Sequence, residues 1–189
     1  RKLDQEMLYL NNLLKGKRRF LDIGCNVGIY SYYFSKKFKY VDSFEPISNV
    51  TVSLKSLNIK GNTIHNIALS DHNDAKEFYI PIIRGYPESN LASLIKPNSP
   101  YKVEEVVIKR LDDYKFNDVD LIKIDVEGLE SKVIHGSLKT IKNTFPILLV
   151  EIEQRHLKYS IDEVFKLIKN IGYDGFFLLD KKLISIEKF

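Results

Sequence analysis

The sequence predicts an α/β fold: a mainly parallel sheet with helices on both faces, closing on an antiparallel hairpin. Three observations carry that expectation. Phe20, Leu21 and Ile23 form a short apolar run ended by Gly24, after which Tyr30, Tyr33, Phe34 and Phe38 follow at helical spacing. A second run, Val119-Asp120-Leu121-Ile122-Lys123-Ile124-Asp125, again leads into helical spacing from Leu129. Finally, residues 176–179 and 183–186 flank the polar turn Asp180-Lys181-Lys182, the pattern of a hairpin. Near-continuous apolar strands are buried on both faces, and strands alternating with helices build a parallel sheet.

Size and composition bound the rest. A chain of 189 residues with 44% hydrophobic and 29% charged residues fits one domain, 1–189, with its own core. The net charge of +4 is spread among acids, which suits a solvated surface and gives no nucleic-acid footprint. Cys25 is the lone cysteine, which excludes a disulfide framework within the chain and favours a reducing compartment, so a cytoplasmic location is expected. No apolar run reaches the ~18 residues of a membrane span. The chain opens on Arg1 rather than methionine, which leaves room for further sequence upstream.

Taken in order, Leu3, Met7, Leu8, Leu10, Leu13 and Leu14 give residues 1–16 an amphipathic leading helix that ends near Gly16. Residues 19–28 then run from strand through a glycine turn to a helix N-terminus, the ligand-binding half-unit of α/β sheets. The turn reads D-x-G-x-N-x-G, from Asp22 through Gly24 and Asn26 to Gly28. A dinucleotide turn needs G-x-G-x-x-G, and here Asn26 and Ile29 occupy its second and third glycine positions. An acid at Asp22 suits a ligand with an ammonium group and repels phosphate; its alternative role is to cap the helix. Residues 40–46 form the next strand and place Glu45 and Pro46 at its end, about 20 residues after the first glycine, where such folds put the carboxylate that binds ribose hydroxyls.

A helix over 49–57 and a third strand over 63–69 follow. Residues 76–80 and 103–109 have strand composition, and 84–101 between them is rich in breakers, an insert expected to act as an acceptor-facing lid. Arg84, Tyr86 and Tyr101 there would suit a sugar or an acid. Beyond the strand at 119–125 come a helix over 129–142, a strand over 145–153 and a helix over 160–171 with Ser160 as N-cap and Gly172 as its stop.

Asp22 to Gly28, with Glu45, resembles the first motifs of class I S-adenosylmethionine (SAM) methyltransferases. Ile122-Lys123-Ile124-Asp125-Val126-Glu127-Gly128, with Glu130 and the downstream Val150-Glu151-Ile152-Glu153, narrows the resemblance to the FkbM methyltransferase family, with support from 66–71 and from Leu111-Asp112-Asp113. The resemblance covers roughly residues 19–155. It implies a Rossmann-like sheet of seven strands, SAM as cofactor, and O-methylation of a small-molecule or glycan hydroxyl. It also implies a cofactor site made by Asp22, Gly24, Asn26, Gly28, Glu45, Pro46 and Asp125, with Asn66, Ala68 and Leu69 beside the adenine.

Ligands of open α/β sheets lie beyond the carboxyl ends of the strands, where Asp22, Glu45, Asp125 and Glu151 all fall. Methyl transfer needs alignment above all, plus a base when the acceptor is a hydroxyl. Asp125 is the leading candidate to position or deprotonate the acceptor, with Glu127, Glu151 and His156 as the other catalytic candidates. Asp125 and Glu127 have a second reading as acids favoured at a helix start. Asp125, Glu151, Glu153 and His156 are ligand types that a divalent ion takes, but their spacing matches no metal motif, so none is expected. The competing readings are a nucleotide-sugar or NAD enzyme and a non-catalytic binding module on the same fold. Acceptor identity and oligomeric state are not legible.

Overall fold

The computed structural model describes residues 5–88, 92, 96–180 and 182–188. In chain order it contains α1 (Gln5–Leu13), β1 (Arg19–Ile23), α2 (Ile29–Ser35), β2 (Tyr40–Phe44), α3 (Ser48–Ser56), β3 (Asn62–His65), β4 (Ala68–Leu69), β5 (Asp74–Ile83), β6 (Tyr86–Pro87) and β7 (Tyr101–Lys109). There follow β8 (Val119–Ile124), α4 (Glu130–His135), α5 (Leu138–Thr144), β9 (Ile147–Val150), α6 (Ile161–Ile171), β10 (Phe176–Leu179) and β11 (Lys182–Ser185).

The main sheet has five strands, all parallel, in the order β3-β2-β1-β8-β9. Strand order therefore reverses between β1 and β8, which fixes the crevice where ligands enter such sheets. Successive side chains of a strand face opposite sides, and each face has its own core. Phe20, Val41 and Leu121 pack with Phe34 and Phe38 of the α2 segment and with Leu10 of α1. Leu21, Ile23, Phe44, Ile122 and Ile124 pack on the other face with Val133, Ile134, Ile141 and Val164 of α4, α5 and α6. The same alternation puts Ser43, Asp22 and Lys123 in one cross-strand row on the α2 face, since Asp22 is paired in register with both of the others. That polar row inside an apolar layer is the main departure from the expected core.

Three expectations need correction. The seven-stranded sheet is a five-stranded one, because β10 and β11 pair with each other as a separate antiparallel sheet. The third strand is broken: β3 pairs with β2, whereas β4 pairs with β7 in a second sheet of order β4-β7-β5-β6. Asn66 and Ile67 carry the chain from one sheet to the other, and β5 and β7, apolar enough to be taken for sheet strands, pair antiparallel there. Finally, the helix expected over 129–142 divides into α4 and α5 at Gly136, where a Cβ would stand 1.9 Å from the Ser70 carbonyl oxygen. Only a glycine lets β4's successor lie so close.

The remaining elements match within a few residues. Ser160 caps α6 by accepting from the Asp162 N–H at 3.2 Å, and Gly172 ends it at φ 111°. Residues 1–4 of the expected leading helix, Lys181 of the hairpin turn, and 89–91 and 93–95 of the expected lid lie outside the described residues.

Candidate functional site

The turn after β1 is clamped between the ends of β2 and β8. Gly24 and Cys25 both donate their N–H to the Phe44 carbonyl, at 3.0 and 3.1 Å. Gly24 has φ +74°, and a Cβ there would lie 1.8 Å from the Asp125 carbonyl oxygen, so both the conformation and the approach require glycine. Asn26 is also left-handed, with φ 47°. This geometry turns the Asn26 N–H onto Glu45, whose Oε2 accepts it at 3.1 Å while Oε1 accepts from the Ile47 N–H at 2.9 Å.

Glu45 is 7% exposed, and burial pushes its carboxyl above the ordinary value against the pull of those two hydrogen bonds. A carboxylate offers about four acceptor sites, so two remain for a ligand. Glu45 forms part of the wall of a cleft of about 140 Å³ at the strand ends. Gly24, Asn26, Pro46, Ala68, Leu69, Asp125 and Glu127 line the same cleft. Eight of the residues expected around a ligand thus meet in one place.

Five others do not line the cleft: Asp22, Gly28 and Asn66 of the expected cofactor residues, and Glu151 and His156 of the catalytic ones. Asp22 is fully buried beneath α2, where its Oδ2 accepts from the Ser31 hydroxyl at 2.5 Å and its Oδ1 has no partner among the described residues. Burial raises its carboxyl, and the charge of Lys123 pulls the other way. Gly28 sits under Leu54 and begins α2. Asn66 donates to the Glu45 and Pro46 carbonyls at 3.2 and 2.7 Å, so it shapes the turn that presents Glu45.

On the other side of Asp125 the acids gather. Asp125 Oδ2 accepts from the Lys123 ammonium at 2.8 Å, and that ammonium also lies 4.9 Å from the centre of the Tyr30 ring. Glu127, left-handed at φ 53°, reaches His156 Nε2 at 2.7 Å, with Glu153 3.6 Å from the same nitrogen. The Glu151 N–H donates to the Ile124 carbonyl at 2.9 Å, which anchors it at the end of β8 beside Asp125. Burial first, and Asp125 second, raise the Glu151 carboxyl. Asp125, Glu127, Glu151, Glu153 and His156 border one small pocket together with Glu130. Glu130 is 2% exposed; its Oε1 accepts from the Gly128 N–H at 2.9 Å, while Oε2 is buried without a partner among the described residues. No group of three or more His, Cys, Asp or Glu among the described residues is arranged to hold a metal ion.

Reasoning from sequence missed four contributors. Lys123 enters the sequence reading only within a motif, although a lysine inside Leu-Ile-Lys-Ile is itself a signal. Glu130 enters it only as part of the family resemblance, with no role attached. Ile67 and Phe78 line the cleft as apolar wall, and neither carries a local sign of it. Of the insert, Tyr86 and Pro87 fold back onto β5, and Ala92 lines the cleft.

The family model of the Methyltransferase FkbM domain matches residues 22–174. No curated protein matches the chain at a significant level. Among solved structures, the FkbM methyltransferase of Methylobacillus flagellatus aligns with TM-score 0.65 at 16% identity, over 96% of this chain and 46% of that one. The chain thus spans about half the length of that protein. A TehB-like SAM-dependent methyltransferase of Corynebacterium glutamicum aligns with TM-score 0.54 at 10% identity, over 97% and 86% of the two chains. A SAM-dependent methyltransferase of Aquifex aeolicus gives 0.52 at 16%, over 96% and 88%. At these identities the structural matches establish the fold.

Proposed function

The chain belongs to the FkbM methyltransferase domain family, and we propose on that premise that it methylates a hydroxyl of a small-molecule or glycan acceptor with SAM. The observation that carries the reading is the Glu45 carboxylate, held by the Asn26 and Ile47 N–H groups at the wall of the cleft formed by the Gly24 turn. The donor set fits the cofactor. Glu45 keeps acceptor sites for two ribose hydroxyls, and Ile67, Ala68, Leu69 and Phe78 give an apolar wall for the adenine. Asp22 holds the start of α2 from beneath the turn through its hydrogen bond from Ser31. The cofactor supplies an electrophilic methyl on a sulfonium. Asp125, at the other side of the cleft and tethered to Lys123 through Oδ2, keeps Oδ1 to orient the acceptor oxygen.

An NAD or nucleotide-sugar reading lacks the glycines that let a pyrophosphate approach, and it would set phosphates near Asp22 and Glu45. The test is thermal denaturation with S-adenosylhomocysteine or NAD at millimolar concentration. The expected result is a higher melting temperature with S-adenosylhomocysteine and no change with NAD. The reverse pattern would overturn the proposal.

A further inference from the structure

A second cavity, of about 410 Å³, opens on the α2 face of the sheet between α1, α2, β8 and β9, lined by Glu6, Tyr30, Lys123, Leu149, Val150 and Glu151. Its volume lies in the range of small-molecule sites. Glu151 also borders the acidic pocket, and Asp125 borders both that pocket and the cofactor cleft. The three spaces therefore adjoin one another across the side chains of Asp125 and Glu151. In-line transfer needs a donor and an acceptor that approach one point from two sides, and spaces on either side of these two acids suit that requirement.

Resting on the reading above, we propose that this second cavity is the acceptor site, that it takes a neutral or amine-bearing polyol and rejects anionic ones, and that Glu151 accepts the hydroxyl proton. Charge selects the class. Glu6 and Glu151 face the cavity, while Lys123, the one cation in its lining among the described residues, is engaged by Asp125 at 2.8 Å and lies beside Asp22. A phosphate or carboxylate placed there would meet two acids, with Lys123 already drawn on by Asp125 and Glu151. The Tyr30 ring adds an apolar surface to the cavity wall, and carboxylates accept from hydroxyl and ammonium donors. Glu130, 2% exposed and with Oε2 unpartnered among the described residues, borders the adjoining pocket as a further acceptor.

In the transfer, the acceptor oxygen forms its bond to the methyl carbon as the carbon–sulfur bond breaks. The sulfur keeps the electron pair and leaves as the neutral thioether of S-adenosylhomocysteine, and the hydroxyl proton passes to Glu151. Burial and the facing Asp125 keep the Glu151 carboxyl above its ordinary value, closer to that of an effective base. The groups facing Glu151 are Lys123 and Asp125 from β8 and its end, Glu127 and Glu130 from the start of α4, Glu6 from α1, and Glu153 and His156 from its own segment.

The test saturates the full chain with S-adenosylhomocysteine and measures the thermal shift given by glucosamine, methyl glucoside, glucuronate and glucose 6-phosphate. Glucosamine and methyl glucoside should stabilise; the two anions should not. Glu151→Lys should abolish the glucosamine effect and leave S-adenosylhomocysteine affinity unchanged. Stabilisation by the anions, by none of the four, or undiminished in Glu151→Lys would overturn the proposal. If the wild type does not bind S-adenosylhomocysteine, the parent reading fails first, and calorimetry with that ligand alone reports it. With methyl-labelled SAM and either stabilising sugar, Glu151→Gln should lower turnover by about 10²–10⁴-fold and remove the acidic limb of the pH profile. Glu151→Asp should restore part of the rate. An unchanged rate and profile in Glu151→Gln would remove it as the base.

Discussion

The Lys123 ammonium lies 2.8 Å from Asp125 Oδ2, two residues along the same chain, although Lys123 is 5% exposed and belongs to the most buried strand of the sheet. Strand periodicity would point both side chains the same way, and the end of β8 frees Asp125 to turn towards the cleft. One carboxylate oxygen is thereby fixed and the other left to the ligand. A group so tethered is suited to orienting an acceptor.

Asp125→Asn should therefore lower kcat by about 10²-fold, the scale of a lost alignment, with S-adenosylhomocysteine affinity preserved. Steady-state kinetics beside calorimetry measures both. Normal turnover would reduce Asp125 to a helix-start acid, and a large loss of affinity would make it a cofactor ligand.

Glu45 links cofactor binding to pH. Its carboxyl sits above the ordinary value because burial, and the nearby Asp22 and Glu104 charges, disfavour ionisation. Ribose hydroxyls would donate to the ionised form and lower that value, so binding should release a proton. Affinity should accordingly be full above the raised value and fall as pH drops through it. Calorimetry from pH 5 to pH 8 in buffers of differing ionisation heat reads the proton directly. Glu45→Gln should weaken binding by about 1.5–3 kcal/mol at neutral pH and flatten the dependence. A pH-independent wild-type affinity would argue that Glu45 does not touch the ligand.

The strand–turn–helix at 19–35 was legible because each signal there is local: an apolar run, a glycine turn, then a change of period. The cleft-lining residues Gly24, Asn26, Glu45, Pro46, Ala68, Leu69, Asp125 and Glu127 were within reach for the same reason, as each stands at or near a strand end. Asn66 and Ile67 show where local reading stops. Their segment looks like one strand, and only pairing with two different sheets divides it. The hairpin at 176–185 is legible as a hairpin, but no local pattern states which strand it joins. Asp22 is the instructive case. Its place before the glycines suggested ligand contact, whereas strand alternation turns it beneath α2 onto Ser31. Counting faces from Phe20 would have found this.

Asp22 gives a prediction about stability whose sign follows from its burial. The side chain is fully buried, one oxygen is bound by Ser31, and the other lacks a partner among the described residues. Desolvation raises its carboxyl above the ordinary value, with Lys123 opposing. A carboxyl raised in the folded state binds its proton more tightly when folded than when unfolded. Its contribution to stability is thus present at acid pH and is lost as pH climbs from the unfolded value, about 3.9, through the folded one. Asp22→Asn keeps an oxygen for the Ser31 hydroxyl and has no charge to lose. The stability of Asp22→Asn relative to wild type should therefore rise with pH across that window and level off above it. Lys123→Met tests the opposing term: it leaves Asp22 and Asp125 without their cation and should cost about 3 kcal/mol, the low end for breaking a buried pair, because Asp125 is partly exposed. Adding Asp22→Asn to Lys123→Met should recover part of that loss, since the uncompensated buried charge is gone. Urea denaturation of the four proteins at several pH values measures the whole cycle. A pH-independent difference for Asp22→Asn, or strict additivity with Lys123→Met, would show that the two residues do not share a field.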